Sequence, residues 1–223
     1  MRFVLLAMGL VAGSNILGAV TRAGPRFALV STLFTFLVML AWTAWKRDGV
    51  LARWLVIGFV AGWLEIVADA WLVARTTSLV YPAGEPMVWR SPLYMPFAWT
   101  IVLAQLGIIA GWLGKRLSVL QASVACALLG GSMIPLYEHL AHDAGYWWYR
   151  DTPMIWNAPL YIIVAEFLLS LPLVWMYRHA QHRSRRYSAF LGVVAGLWMM
   201  PSVVIAWWLV GPCDGAWIQF RCH

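Results

Sequence analysis

Apolar residues run almost unbroken through seven stretches of this chain: Phe3 to Val20, Phe27 to Trp45, Leu51 to Val73, Pro92 to Gly114, Leu117 to His139, Asn157 to Tyr177 and Tyr187 to Val210. Each is close to the roughly 20 residues a helix needs to cross the hydrocarbon core of a bilayer. Polar residues collect in the short breaks between them. The pattern predicts an all-α fold, a polytopic membrane helical bundle of about seven transmembrane helices, as one integral membrane domain over residues 1–223. The first stretch follows a short basic start, as a signal peptide does, but Phe27 opens another apolar run almost at once, so it reads as a helix of the bundle.

Composition agrees with the pattern. The 223 residues are 62% hydrophobic and only 11% charged, against about 25% charged in soluble domains. The net charge of +7 does not point to nucleic acid, because the basic residues sit in clusters between apolar runs and not along one helix face. They read as topology signals. The N-terminus and the second, fourth and sixth loops hold Arg2, Lys46, Arg47, Arg53, Lys115, Arg116, Arg178, Arg183, Arg185 and Arg186, while the opposite side holds Arg22, Arg26, Arg75, Arg90, Arg150 and Arg221. The positive-inside rule then predicts a multi-pass protein of the plasma (inner) membrane with a cytoplasmic N-terminus and an extracytoplasmic C-terminus.

Acids inside the apolar runs bring in chemistry. Glu65 and Asp69 are four residues apart and share a helix face. An ionised carboxylate near mid-membrane costs on the order of 3 kcal/mol, so such residues turn towards a protein interior or a wet cavity. Glu138 and Glu166 interrupt later runs in the same way. The acids are spaced along a plan that occurs twice: an acid-bearing run, an aromatic loop, then a Pro-Leu-Tyr opening, once over Glu65, Tyr81 and Pro92-Leu93-Tyr94 and again over Glu138, Trp147-Trp148-Tyr149 and Pro159-Leu160-Tyr161. We read this as a weak internal duplication of a two-helix unit whose copies share one membrane orientation.

With the predicted orientation, Asp69, Tyr94, Glu138, His142, Asn157 and Tyr161 fall in the outer half of the bundle, with Glu65 and Glu166 nearer its middle. The expected site is a pocket there, lined by aromatics. Trp71, Trp99, Trp147 and Trp148 lie beside the acids in sequence, where their faces would stabilise a carbocation by cation-π attraction. Two carboxyls in a medium of low dielectric do not both ionise readily, and a carboxyl that keeps its proton is what a general acid needs to protonate a carbon-carbon double bond. The catalytic candidates are therefore Glu65, Asp69, Glu138 and Glu166, and the substrate-binding candidates are Trp71, Tyr81, Tyr94, Trp99, His142, Trp147, Trp148, Asn157 and Tyr161.

Other chemistries lack their residues. Glu138-His139-x-x-His142-Asp143 has ligand-like spacing but is not the His-Glu-x-x-His of zinc proteases, and five histidines in all, most of them in loops, supply few ligands. Neither metal nor cofactor is expected. The only lysines, Lys46 and Lys115, stand at loop ends, so a buried Schiff base to retinal is excluded. Phosphate-binding glycine loops, nucleophile elbows and the Asp-rich motifs of magnesium-dependent prenyl transferases are absent from the sequence. Cys126 reads as a packed hydrophobe. Cys213 and Cys222 stand in the predicted extracytoplasmic tail, where a disulfide would persist.

Ser91-Pro92-Leu93-Tyr94-Met95-Pro96-Phe97-Ala98-Trp99, with Trp147-Trp148-Tyr149 and Asn157-Ala158-Pro159-Leu160 behind it, resembles the carotenoid hydratase family of membrane proteins, the bisanhydrobacterioruberin hydratase type. The plan is also similar to the small membrane terpenoid and lycopene cyclases. Roughly Leu64 to Glu166 carries the likeness. Glu138-His139 replaces an Asp-rich run of the hydratases, Ala165-Glu166 replaces a Gly-Trp, and the Pro-x-Glu-Glu of the lycopene cyclases is missing. The resemblance implies acid-initiated, non-redox cyclisation or hydration of a lipophilic isoprenoid, with membrane lipid as the surrounding partner. Glu65 is the expected proton donor, Asp69 its partner, and Glu138 and Glu166 position water or take the proton back. The alternative is a non-catalytic membrane subunit or a lipid- or pigment-binding protein in which the acids hold helices together. A small transporter is a third reading, less favoured because matched, Gly/Pro-broken helix pairs are lacking.

Overall fold

The computed structural model describes residues 1–211; the tail with Cys213, Arg221, Cys222 and His223 lies outside the described residues. Its helices are α1 (Arg2–Thr21), α2 (Pro25–Lys46), α3 (Gly49–Trp71), α4 (Met95–Leu113), α5 (Val119–Ala144), α6 (Leu160–Ser170), α7 (Leu173–Ala180) and α8 (Arg185–Val210). Because α6 and α7 together make one crossing, seven segments are long and apolar enough to span a membrane. The protein is a multi-pass, all-helical membrane bundle.

Local chemistry sets the helix starts. At one end of the bundle the Asp48 carboxylate accepts the amides of Val50 and Leu51, Ser118 and Gln121 form a reciprocal capping box, and Ser184 accepts the Tyr187 amide. These caps begin α3, α5 and α8. The break between α6 and α7 follows from Pro172, which has no N–H for the Leu168 carbonyl four residues back. The Trp198 indole, on α8, donates to that carbonyl at 3.0 Å instead.

Helix α3 is the central element and packs on α4 and α8. Small residues permit the close approach, as expected where lipid supplies no hydrophobic drive between helices. A methyl group on Gly58 or Gly62 would meet the backbone of Thr100 or Pro96 in α4, and one on Gly192 or Gly196 of α8 would meet α3. Large apolar side chains such as Leu6, Leu120 and Trp208 are exposed around the perimeter, where lipid would cover them.

The opposite end carries short strands. They are β1 (Leu79–Val80), β2 (Met87–Val88), β3 (Ser91–Pro92), β4 (Trp148–Tyr149), β5 (Met154–Ile155) and β6 (Ala158–Pro159). Strands β2 and β3 form a hairpin, β5 and β6 form another, and β1 pairs antiparallel with β4 so that Leu79 faces Tyr149 and Val80 faces Trp148. Helix α3 ends in a π-helical turn, Leu72–Thr76, before β1.

The expected duplication is present and runs deeper than Pro-Leu-Tyr. Met87 and Trp89 in the first hairpin recur as Met154 and Trp156 in the second, and both tryptophans hold the left-handed conformation, at φ 57° and 56°. The Leu93 amide donates to the Pro86 carbonyl as Leu160 does to Pro153, each at 2.9 Å. Gly62 lies against the Pro96 carbonyl and Gly131 against that of Ile163, so the pairs α3/α4 and α5/α6 approach alike. The two copies meet where β1 of the first pairs antiparallel with β4 of the second.

Several expected boundaries differ. Pro92 and Pro159 are not helix starts but strand residues in the two hairpins, each still at a corresponding place. Helix α5 does not stop at His139; it continues to Ala144 and ends on Gly145 at φ 72°. Glu138 therefore stands between one and two turns inside the helix. The expected sixth run, Asn157 to Tyr177, is interrupted at Leu171-Pro172.

Candidate functional site

Four helices each direct an acid or an aromatic into one cavity, which takes in about 600 Å³ of space, part of it open to the surface. From α3 come Glu65 and Asp69, from α4 Met95 and Trp99, from α5 Glu138, and from α6 Glu166. The β1/β4 pair and its flanks close the strand-bearing end with Leu79, Tyr81, Trp147 and Tyr149. The carboxyls of Glu65, Asp69, Glu138 and Glu166 are all under 9% exposed. Among the described residues, no Lys, Arg or His lines it.

Two of the acids are held as acceptors. Asp69 Oδ2 accepts the Tyr81 phenol at 2.7 Å and a short hydrogen bond from Ser91. Glu138 accepts the Trp147 indole at 2.5 Å on Oε2 and the Tyr149 phenol at 3.4 Å on Oε1. Each acid thus takes its donors from the loop that follows its own helix, which is the duplication expressed in chemistry. Burial, together with the nearby Asp69 carboxyl, pushes the Tyr81 phenol well above its ordinary range, and burial with Glu138 does the same for Tyr149. Both phenols act as donors.

Glu65 differs. One side of its carboxyl meets the Trp99 indole, and its Oε2 is buried without a hydrogen-bond partner among the described residues. Glu166 completes the wall on α6.

A second, larger cavity of about 1040 Å³ adjoins the first and shares Met95, Trp99, Glu138, Trp147 and Glu166 with it. Its other walls are mostly apolar, with Met8, Val11 and Ala12 of α1, Val102 and Leu106 of α4, and Leu129 and Met133 of α5, interrupted by Gln105 of α4 and Tyr137 of α5. Met133 is 46% exposed on the lipid-facing surface. The acids thus adjoin an apolar groove between α1 and α5.

The sequence candidates separate. Glu65, Asp69, Glu138, Glu166, Tyr81, Trp99 and Trp147 line the acid cavity as expected. Trp71 does not; it packs edge-on against Trp207 of α8. Trp148 points away from the cavity and is 37% exposed, because successive residues of strand β4 face opposite ways and Trp147 and Tyr149 take the inner side. His142 is exposed and pairs with Asp143 at 3.1 Å, so it diverges from Glu138 despite the four-residue spacing. Asn157 bonds His139 at 2.9 Å outside the cavity. Tyr161 is fully buried but donates to or accepts from Ser78 at 2.8 Å in the packing beneath the strands. Tyr94 lines a different cavity, between α1, α2, α4 and α5. Ser91 and Tyr149 belong to the site and were not among the candidates. Ser91 stands beside Pro92 in the repeated motif, and alternation from Trp147 points to Tyr149.

No curated protein and no solved structure matches this chain. Residues 66–210, well over half of its length and including both copies of the hairpin motif, match the family described as a domain of unknown function, DUF6989, and the chain belongs to that family.

Proposed function

We propose that the protein is a membrane enzyme that carries out acid-initiated, non-redox cyclisation or hydration of a lipophilic isoprenoid. The observation that carries this reading is a cavity with four buried carboxyls, no cation in its wall among the described residues, and a mostly apolar groove alongside. Carboxyls so enclosed share protons and do not all stand as carboxylates, since like charges in low dielectric repel strongly. The sequence likeness to carotenoid hydratases and small terpenoid cyclases supports the same chemistry. The excess of basic residues at the capped end supports a cytoplasmic N-terminus and an extracytoplasmic acid site.

Glu65 is the proton donor in this scheme. Asp69 and Glu138 are occupied as acceptors, whereas the free Oε2 of Glu65 holds the proton that is transferred. Adding that proton to one carbon of a double bond leaves the positive charge on the other, within reach of the faces of Trp99 and Trp147 and of the neighbouring carboxylates. A second double bond of the chain then attacks and a proton is lost to an acid, giving a ring, or water attacks and loses its proton, giving an alcohol. No electrons leave the substrate in either outcome.

The test is incubation, in D2O, of membranes from cells expressing the chain with a preformed unlabelled linear polyprenyl compound, followed by analysis of the lipid extract. A new product carrying one carbon-bound deuterium is expected from the wild type and not from Glu65→Gln. Identical products from both, or products without deuterium, would refute the role of Glu65.

A further inference from the structure

The third cavity is unlike the other two. It takes in about 460 Å³ of space, part of it open to the surface, lies among α1, α2, α4 and α5, and is walled by the hydroxyl or amide side chains of Ser14, Asn15, Ser31, Thr32, Thr35, Tyr94, Tyr137 and Tyr146 with apolar residues between them. Among the described residues, no charged side chain lines it. Hydroxyl groups gathered inside a lipid-embedded bundle are unfavourable unless they meet hydrogen-bonding partners. Here the partners are incomplete in a specific way.

Ser14, Asn15, Ser31 and Thr35 direct side-chain hydrogens to carbonyls of their own helices, and Asn15 also meets the Tyr137 phenol. Ser14 and Asn15 donate to the Val11 carbonyl at 2.9 and 2.8 Å, Ser31 donates to Ala28 at 3.3 Å, and Thr35 donates to Ser31 at 2.9 Å. Their oxygens remain as acceptors. The Tyr94 and Tyr146 phenols, each only 2% exposed, have no hydrogen-bond partner among the described residues. They remain as donors. A group that satisfies both sets must be neutral and must both give and take a hydrogen bond, which describes a hydroxyl. A carbonyl would leave the acceptors unmet, and an ionised phosphate would find no cation.

This chamber shares Val11, Ala98, Val102, Tyr137 and Trp147 with the apolar groove, and Trp147 also lines the acid cavity. We infer that the polar chamber is a binding subsite for the hydroxyl end of an amphiphilic isoprenoid alcohol, whose chain lies in the apolar groove and reaches the acids. The inference rests on the isoprenoid reading of the site but not on the chemistry assigned to Glu65. It narrows the substrate class from any apolar polyene to one bearing an alcohol.

Equilibrium binding to the full chain in lipid nanodiscs tests it, with empty nanodiscs subtracted. The probes are tritiated geranylgeraniol, the hydrocarbon of the same chain lacking the hydroxyl, and geranylgeranyl phosphate. The alcohol is expected to bind roughly tenfold or more tightly than the hydrocarbon, the ratio a hydrogen bond or two supplies. Tyr94→Phe and the near-isosteric Thr35→Val should each shrink that ratio severalfold while leaving hydrocarbon binding unchanged. Equal binding of alcohol and hydrocarbon, or tighter binding of the phosphate, overturns the subsite. Glu65→Gln should keep the preference for alcohol. A preference that survives in a protein yielding no product at all would sink the proposed catalysis alone, whereas products formed without any preference would sink the subsite alone.

Discussion

Trp147→Phe combined with Glu138→Leu measures the contact at the junction of the three cavities. Trp147 is 7% exposed, and its indole nitrogen stands 2.5 Å from Glu138 Oε2. Phe removes the donor and strands a buried carboxyl oxygen, at about 1–3 kcal/mol, with about 1–2 kcal/mol more for the lost ring volume. The remaining donor, Tyr149, is on the other oxygen at 3.4 Å and offers little compensation. Leu in place of Glu138 strands the indole N–H instead, again at about 1–3 kcal/mol. With both replaced, neither orphan exists, so the double variant should be destabilised by about 2–6 kcal/mol less than the sum of the singles, the two orphan costs together. The assay is unfolding by SDS titration in mixed micelles, followed by circular dichroism. Additivity within about 0.5 kcal/mol would refute a working hydrogen bond between these residues and with it the role of Trp147 in holding Glu138 in place.

The duplicated glycines should respond unequally. A methyl on Gly62 would run into the Pro96 carbonyl, while one on Gly131 would stop 3.0 Å from that of Ile163, so Gly62→Ala should cost about 2–4 kcal/mol and Gly131→Ala less than about 1.5 kcal/mol in the same assay; the reverse order would contradict the packing. Glu85, in the loop before the first hairpin, is buried with both carboxyl oxygens unpartnered, and burial lifts its pKa from 4.5 to about 7. The folded protein then holds that proton more tightly than the unfolded chain, so the residue's contribution declines as pH rises from 4.5 to about 7. Glu85→Gln should therefore gain about 1–2 kcal/mol over the wild type above that range and nothing below it, and a difference that is flat with pH would show Glu85 to be solvated.

Length and hydropathy revealed the crossings because lipid demands them, yet they misjudged where helices end. The polar run Glu138 to Asp143 closes an apolar stretch in sequence, but backbone hydrogen bonding carries α5 through it to a glycine able to take the left-handed conformation. Pro92 and Pro159 look like helix starts, a role proline fills well, until the hairpins are seen to hold them. The four acids were legible because each is costly in an apolar run. Their shared cavity, and the inward turn of Tyr149, depend on a pairing between β1 and β4 that no local pattern encodes. The same non-local geometry sends Trp148, His142 and Asn157 outward and places Tyr94 in the hydroxyl-lined chamber.

The pairing of β1 with β4 also bears on biogenesis. Leu79 is synthesised well before its partner Tyr149, on the order of ten seconds at ordinary translation rates, and for that interval the first half of the site resides in the translocon or the bilayer without its other wall. Its acids are not left bare. Asp69 draws on Tyr81 and Ser91, and Glu65 on Trp99, all in the same half, just as Glu138 later draws on Trp147 and Tyr149. Each half can therefore be inserted with one carboxyl, Asp69 or Glu138, already covered, and docking of the halves, not insertion, is the step that creates the cavity.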